Sequence, residues 1–198
     1  MSQVVGETTV ILLAGGKSKR MGCDKLFLPV DGKFLFERVL DALRPLSNEL
    51  MVVTNDRQRF SKYGLTTYAD IYPGSALGGL YTGLYYAKTN LVLVSACDLP
   101  FANQTVAKYL LDVAGDNDVT VVETKDGYEP LFACYSKRCL PAMELALRQK
   151  CYKIQRIWQG LQVKVVSFDE IAHIEGAWQA FVNLNRMEDL KHITQDPR

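Results

Sequence analysis

Two adjacent glycines and four cations follow directly on an apolar run in Leu13-Ala14-Gly15-Gly16-Lys17-Ser18-Lys19-Arg20-Met21-Gly22-Cys23-Asp24-Lys25. Paired glycines let a backbone turn tightly and present its N–H groups to an anion, and Lys17, Lys19, Arg20 and Lys25 can neutralise a multiply charged phosphate chain. The expected ligand is a nucleoside triphosphate. Two commoner phosphate loops are excluded by spacing: a Walker A loop needs glycine where Ile11 stands, and a G-x-G-x-x-G starting at Gly15 needs glycine at Lys17. Asp98 ends the apolar run 91–96, placing a carboxylate at the edge where open α/β sheets bind ligands. That residue type suits Mg²⁺, which is held by one or two carboxylates plus substrate oxygens.

These groups need a scaffold, and short β-branched runs alternating with helical spacing predict an α/β fold, a parallel sheet covered by helices. Strands are expected at 9–13, 50–54, 66–69, 91–96, 119–123, 131–135 and 163–168, with helices at 34–44, 77–88, 105–114 and 137–149. A short strand at 181–185 would put Asn183 and Asn185 on one face, before a final helix at 186–193. Lys153 and Arg156, three apart on an expected helix, are candidates for a substrate phosphate or an ordinary solvated face. Gly78, Gly79 and Gly83 would each weaken the 77–88 helix by about 1 kcal/mol, so a close approach to that backbone, by a ligand, is expected.

The 198 residues carry 23 Lys plus Arg against 22 Asp plus Glu, a net charge of +1 that argues against a nucleic-acid or anionic-membrane coat. No linker or repeat divides the chain, so one domain, 1–198, is expected. Apolar runs far shorter than a membrane span, and no charged and apolar leader, make a cytoplasmic address the default. Five cysteines without a C-x-x-C pair suit a reducing compartment, and His173 and His192 support neither a zinc site nor a hydrolase triad. Cys23, among cations, is expected to have a lowered pKa, whereas Trp158 and Trp178 are read as packing residues.

The pattern L-A-G-G-x-S-x-R-M-G-x-D-K resembles the signature loop of nucleotidyltransferases, and its A-G-G form most resembles the molybdenum cofactor guanylyltransferases, which join GTP to the phosphate of molybdopterin. The resemblance continues through Asp70 with Pro73-Gly74-Ser75-Ala76-Leu77-Gly78-Gly79, then Ser95-Ala96-Cys97-Asp98-Leu99-Pro100-Phe101, then Phe181-Val182-Asn183-Leu184-Asn185. This chain departs from the family's usual Gly-Pro-Leu at Ser75-Ala76-Leu77 and from Asn-Thr-Pro at Asn185-Arg186-Met187.

What the resemblance implies is a three-layer, Rossmann-like nucleotidyltransferase domain with a mostly parallel sheet, its first half binding nucleotide and its second half the acceptor. Leu13, Ala14, Gly15 and Gly16 would form the nucleotide turn, and Arg20 and Lys25 would hold the departing pyrophosphate. Asp98 would hold Mg²⁺, Asp70 would lie beside the nucleoside, and Thr54 or Asn55 would contact base or ribose. Gly78 and Gly79 would let the backbone approach the nucleotide, and Asn183, Asn185, Glu129-Pro130-Leu131, Lys153 and Arg156 would face the pterin. GTP and molybdopterin are the implied substrates, with molybdenum-cofactor delivery or acceptor proteins as partners. Related activities are CMP transfer to molybdopterin, transfer to a sugar or alditol phosphate, and nucleotide binding without turnover.

Overall fold

Thr8–Leu13 forms the first strand (β1), and it is buried along its whole length. In the computed structural model, which describes residues 8–15, 25–30 and 32–183, its side chains alternate between two cores: Val10 and Leu12 join one, Ile11 and Leu13 the other. An unbroken apolar run, here 10–13, is what a strand covered on both faces requires.

After a 3-10 turn at Lys25–Phe27, a two-residue-strand hairpin of Pro29–Val30 (β2) and Lys33–Phe34 (β3) leads into helix Leu35–Leu43 (α1). Leu35, Phe36, Val39, Leu40 and Leu43 are its buried stripe, and Glu37 accepts the Phe34 N–H at 3.0 Å. Then come Glu49–Val53 (β4), a 3-10 stretch at Arg57–Tyr63, Thr66–Tyr68 (β5) and helix Ala76–Tyr86 (α2). Leu91–Ala96 (β6) and Gln104–Ala114 (α3) follow. The remainder is Val119–Thr124 (β7), Gly127–Ser136 (β8), Leu140–Arg148 (α4), Val163–Ser167 (β9) and the single turn Phe168–Ile171 (α5).

One seven-stranded sheet has the order β5-β4-β1-β6-β8-β7-β9, and all its pairings are parallel except the two made by β8. One core lies between the sheet and the face carrying α1, α3 and α5, the other beneath α2 and α4, giving three layers. The chain runs from β1 outward to β4 and β5, then returns to β6 on the other flank of β1. That reversal opens a crevice at the carboxyl ends of the strands, where ligands enter such sheets. Among the described residues, no helix is long and apolar enough to cross a membrane.

Several local expectations are corrected. Of the strand expected at 181–185, Phe181 instead closes a 3-10 turn, Gln179–Phe181, Val182 donates its N–H to Gln179 O at 3.0 Å, and Val182 and Asn183 belong to no strand; Phe181 turns inward to pack edge-on against Phe132. Asn183 is thus on no strand, and Asn185 lies outside the described residues with Leu184 and the expected helix at 186–193. Lys153 and Arg156 belong to a 3-10 stretch, Ile154–Trp158, with Lys153 as its cap. The expected helix at 137–149 begins as a 3-10 turn at Lys137–Cys139, and its α-helix starts at Leu140, ahead of Pro141, where proline is tolerated in a first turn.

Candidate functional site

Backbone bonds carry the sheet one residue past its strand ends and so fix the floor of the crevice. Ala14 N–H donates to Val53 O at 2.9 Å, Cys97 N–H to Leu13 O at 3.1 Å, and Thr54 N–H to Tyr68 O at 2.8 Å. The β1 turn is thereby anchored to both neighbours, with Leu13 buried, Ala14 half-buried and Gly15 exposed.

Across this floor Lys25 Nζ lies 2.8 Å from Asp98 Oδ2, with side chains 21% and 28% exposed. An ammonium from the end of the glycine loop and a carboxylate from the end of β6 thus meet in a partly screened position, where charge is worth more than at an open surface. Asp98 presents hard oxygen ligands at the mouth of the crevice. Among the described residues no three His, Cys, Asp or Glu gather to hold a metal by themselves. The neighbouring Cys97 is fully buried, and burial together with the charge of Asp98 pushes its thiol well up, so it is an inert packing group.

On the other flank, Asn55 and Asp70 hold one another. Asn55 Nδ2 donates to Asp70 Oδ2 at 2.9 Å, and Asp70 N–H donates to Asn55 Oδ1 at 3.0 Å. Thr54 is 2% exposed, and its hydroxyl accepts the Asp56 N–H at 3.1 Å. Of the two residues, Asn55 is therefore the one whose side chain is open to a ligand. Burial raises the Asp70 pKa, an effect that the Asn55 amide bond partly offsets. A Cβ built on Gly15 would stand 3.8 Å from Asp70 Oδ2, so the carboxylate overlooks the β1 turn.

The glycines of α2 have other reasons than a ligand's approach. A Cβ at Gly78 would lie 1.8 Å from the Tyr72 carbonyl oxygen, and one at Gly83 would lie 2.6 Å from Ile11 Cδ1. The close neighbours are the chain's own loop and β1, which corrects the expectation for those two positions. At Gly79 the nearest atoms are Asp70 Oδ1 and Leu13 Cδ2, both at 3.5 Å, an ordinary contact.

Because β8 runs antiparallel to β6, it starts where β6 ends. The β6–β8 register ends at Ser95↔Phe132, so Glu129 on β8 lies beyond the last pair, on the side toward which β6 runs on to Asp98. Burial raises the Glu129 pKa, countered by the Thr124 hydroxyl. Pro130 and Leu131 follow at the same edge, whereas Lys153, Arg156 and Asn183 are exposed. Trp158 packs edge-on against Tyr128, and Trp178 packs against Leu35. Gly16, Arg20, Asn185, Cys23 and His192 lie outside the described residues.

The family described as the MobA-like NTP transferase domain matches residues 10–165, which span this crevice from β1 through β9. The chain belongs to that family. It is accordingly a nucleotidyltransferase, and the resemblance of its loop to that class holds across the domain. The chain is 33% identical over 186 residues to the probable molybdenum cofactor guanylyltransferase of Carboxydothermus hydrogenoformans, covering 93% of this chain and 94% of that one. It is also 33% identical to the molybdenum cofactor guanylyltransferase of Desulfosudis oleivorans, over 92% of each. Among solved structures, molybdopterin-guanine dinucleotide biosynthesis protein A from Archaeoglobus fulgidus superposes with a TM-score of 0.80 at 26% identity, covering 93% of this chain and 96% of that one.

Three features of this MobA-like site had little or no sequence signal. The reciprocal Asn55–Asp70 pair joins residues whose separation matches no helix or strand period, and the placement of Glu129 depends on an antiparallel pairing invisible in a local window. Thr82, buried in α2 and bonded to the loop after Asp70, was hidden among glycines.

Proposed function

We propose that the enzyme transfers GMP from GTP to the phosphate of molybdopterin, forming molybdopterin guanine dinucleotide and releasing pyrophosphate. An acceptor phosphate oxygen attacks the α-phosphorus, and the bond from that phosphorus to the oxygen bridging to the β-phosphate breaks. Both reactants are anions, so the protein's task is to align them and offset charge. The observation that carries this reading is the Lys25–Asp98 pair, 2.8 Å apart, at the carboxyl edge beside the β1 turn.

In this scheme the backbone at Leu13, Ala14, Gly15 and Gly16 cradles the nucleotide, while Lys25, with Arg20, holds the phosphates that leave as pyrophosphate. Asn55 and Asp70 line the nucleoside side, with Gly79 near Asp70 and Gly78 seating the loop that carries Asp70. Asp98 fits magnesium as a hard oxygen donor at the crevice mouth. Such an ion, when bound there, supplies charge neutralisation at the α-phosphate. The second half of the domain, through Glu129-Pro130-Leu131 with Lys153, Arg156, Asn183 and Asn185, forms the acceptor side. The guanine preference is supported by the names of the relatives, which align over nearly the whole chain.

Thermal stabilisation by GTP, CTP, UTP and ATP, each with Mg²⁺, followed by pyrophosphate release with molybdopterin, tests the proposal. A selective GTP shift with molybdopterin-dependent turnover is expected. A selective shift with CTP or UTP would replace the substrate, and no shift with any triphosphate would overturn the loop's assignment.

A further inference from the structure

Thr82 sits on α2 with its side chain wholly enclosed. Its hydroxyl donates to Gly78 O at 2.8 Å, the usual bond of a helical threonine to the carbonyl one turn back. The same oxygen accepts the N–H of Ile71 at 2.9 Å, from outside the helix. Ile71 follows Asp70, whose own N–H is taken by Asn55. Two consecutive backbone donors are thus held by side chains from opposite sides, one at the exit of β4 and one within α2.

The next residue completes the seat. The Tyr72 carbonyl lies so close to Gly78 that a Cβ there would stand 1.8 Å from its oxygen. Threonine at 82 and glycine at 78 therefore fix how near the loop lies to the helix. That distance sets where the Asp70 carboxylate stands, at 3.8 Å from a Cβ on Gly15 and 3.5 Å from one on Gly79.

We propose that Thr82 is a positioning residue for the nucleotide site, its hydroxyl holding the Asp70 loop on α2 so that the carboxylate faces the β1 turn. This inference rests on the proposed role of Asp70 beside the nucleoside. Removing the hydroxyl while keeping the volume, as in Thr82→Val, leaves the Ile71 N–H without its acceptor and releases the loop.

The experiment compares GTP affinity with Mg²⁺ by calorimetry in the wild type, Thr82→Val, Thr82→Ser, Asp70→Asn and the Thr82→Val/Asp70→Asn double variant, together with amide exchange at Ile71. Thr82→Val should weaken GTP about tenfold and Thr82→Ser should stay within about twofold. Ile71 exchange should accelerate in Val and not in Ser. In the Asp70→Asn background, Thr82→Val should add no further loss, because the two act as one unit. Should Val prove unable to fold, Thr82→Ala serves in its place.

Wild-type affinity in Thr82→Val, or a full additional factor in the double variant, overturns the positioning role while leaving Asp70 intact. Unchanged GTP affinity in Asp70→Asn instead removes Asp70 from the nucleotide site, and this inference with it.

Discussion

Lys25 and Asp98, 2.8 Å apart, are expected to fail differently when replaced. Lys25→Ala, on the proposed phosphate role, should weaken GTP about 10- to 100-fold by calorimetry, the equivalent of ~1.5–3 kcal/mol for a charge-assisted bond. Asp98→Asn should cut turnover by at least about a hundredfold while the melting temperature stays near wild type, as the proposed metal-holding role of its carboxylate requires. Asp70 and Glu129 have pKa values raised chiefly by burial. A raised carboxylate contributes stability that is complete below its unfolded value, 3.8 for Asp70, and is lost as pH rises through the folded one. Asp70→Asn should therefore melt about 1–3 °C higher than wild type at pH 7 and match it near pH 3, although it binds GTP less well. A melting curve unmoved between the two pH values would contradict that cost. The glycine–lysine loop stood out as a phosphate candidate because glycine and lysine carry their chemistry locally, whereas preferring Asn55 to Thr54 needed burial, a property of the assembled sheet.

At the scale of the element, α2 separates two uses of glycine that look alike in the sequence. Alanine is the better helix former by about 1 kcal/mol, so a glycine kept for a ligand should become stabilising when replaced and one kept for packing should not. Gly79→Ala, with nothing nearer than 3.5 Å, is expected to melt at or above the wild-type temperature. Gly78→Ala, facing a backbone oxygen at 1.8 Å, is expected to lose about 1–3 kcal/mol and to weaken GTP as well. Denaturant unfolding of the pair decides the matter, and equal stability would refute the distinction. The central strands were legible because burial on both faces writes an apolar run, as in 91–94 of Leu91–Ala96. Among the described residues of the strand expected at 181–185, Phe181 turns onto Phe132 and 181–183 join no ladder, so the apolar side chain there reflects packing and not sheet pairing. The hairpin of Pro29–Val30 and Lys33–Phe34 left too short a pattern to detect.

For the molecule as a whole, the order of strands was not legible, because pairing partners far apart in the chain leave no mark on a local window. Asp118 shows how the far half of the sheet is tied together. Its carboxylate accepts the Gln162 N–H at 2.9 Å and the Arg138 guanidinium at 2.5 Å, joining the starts of β7 and β9 to the turn before α4. The Gln162 bond, then Arg138, lowers its pKa against the cost of burial. That stability is present above the unfolded value of 3.8 and lost as pH falls through the folded one. Asp118→Ala should lower stability by about 1–3 kcal/mol at pH 7 and by less near pH 3, read from urea midpoints. An equal loss at both pH values would exclude the charge. The reversal of β8 has an evolutionary consequence. Every group contributed by a parallel strand comes from the point where it stops, but the Glu129 side comes from a hairpin linking two strands. Mutations at its tip, Lys125 and Asp126, can accumulate without disturbing the loops proposed to grip the triphosphate. One scaffold can thereby diversify its acceptor while conserving its donor, the division of labour expected of an ancestral fold that has been reused.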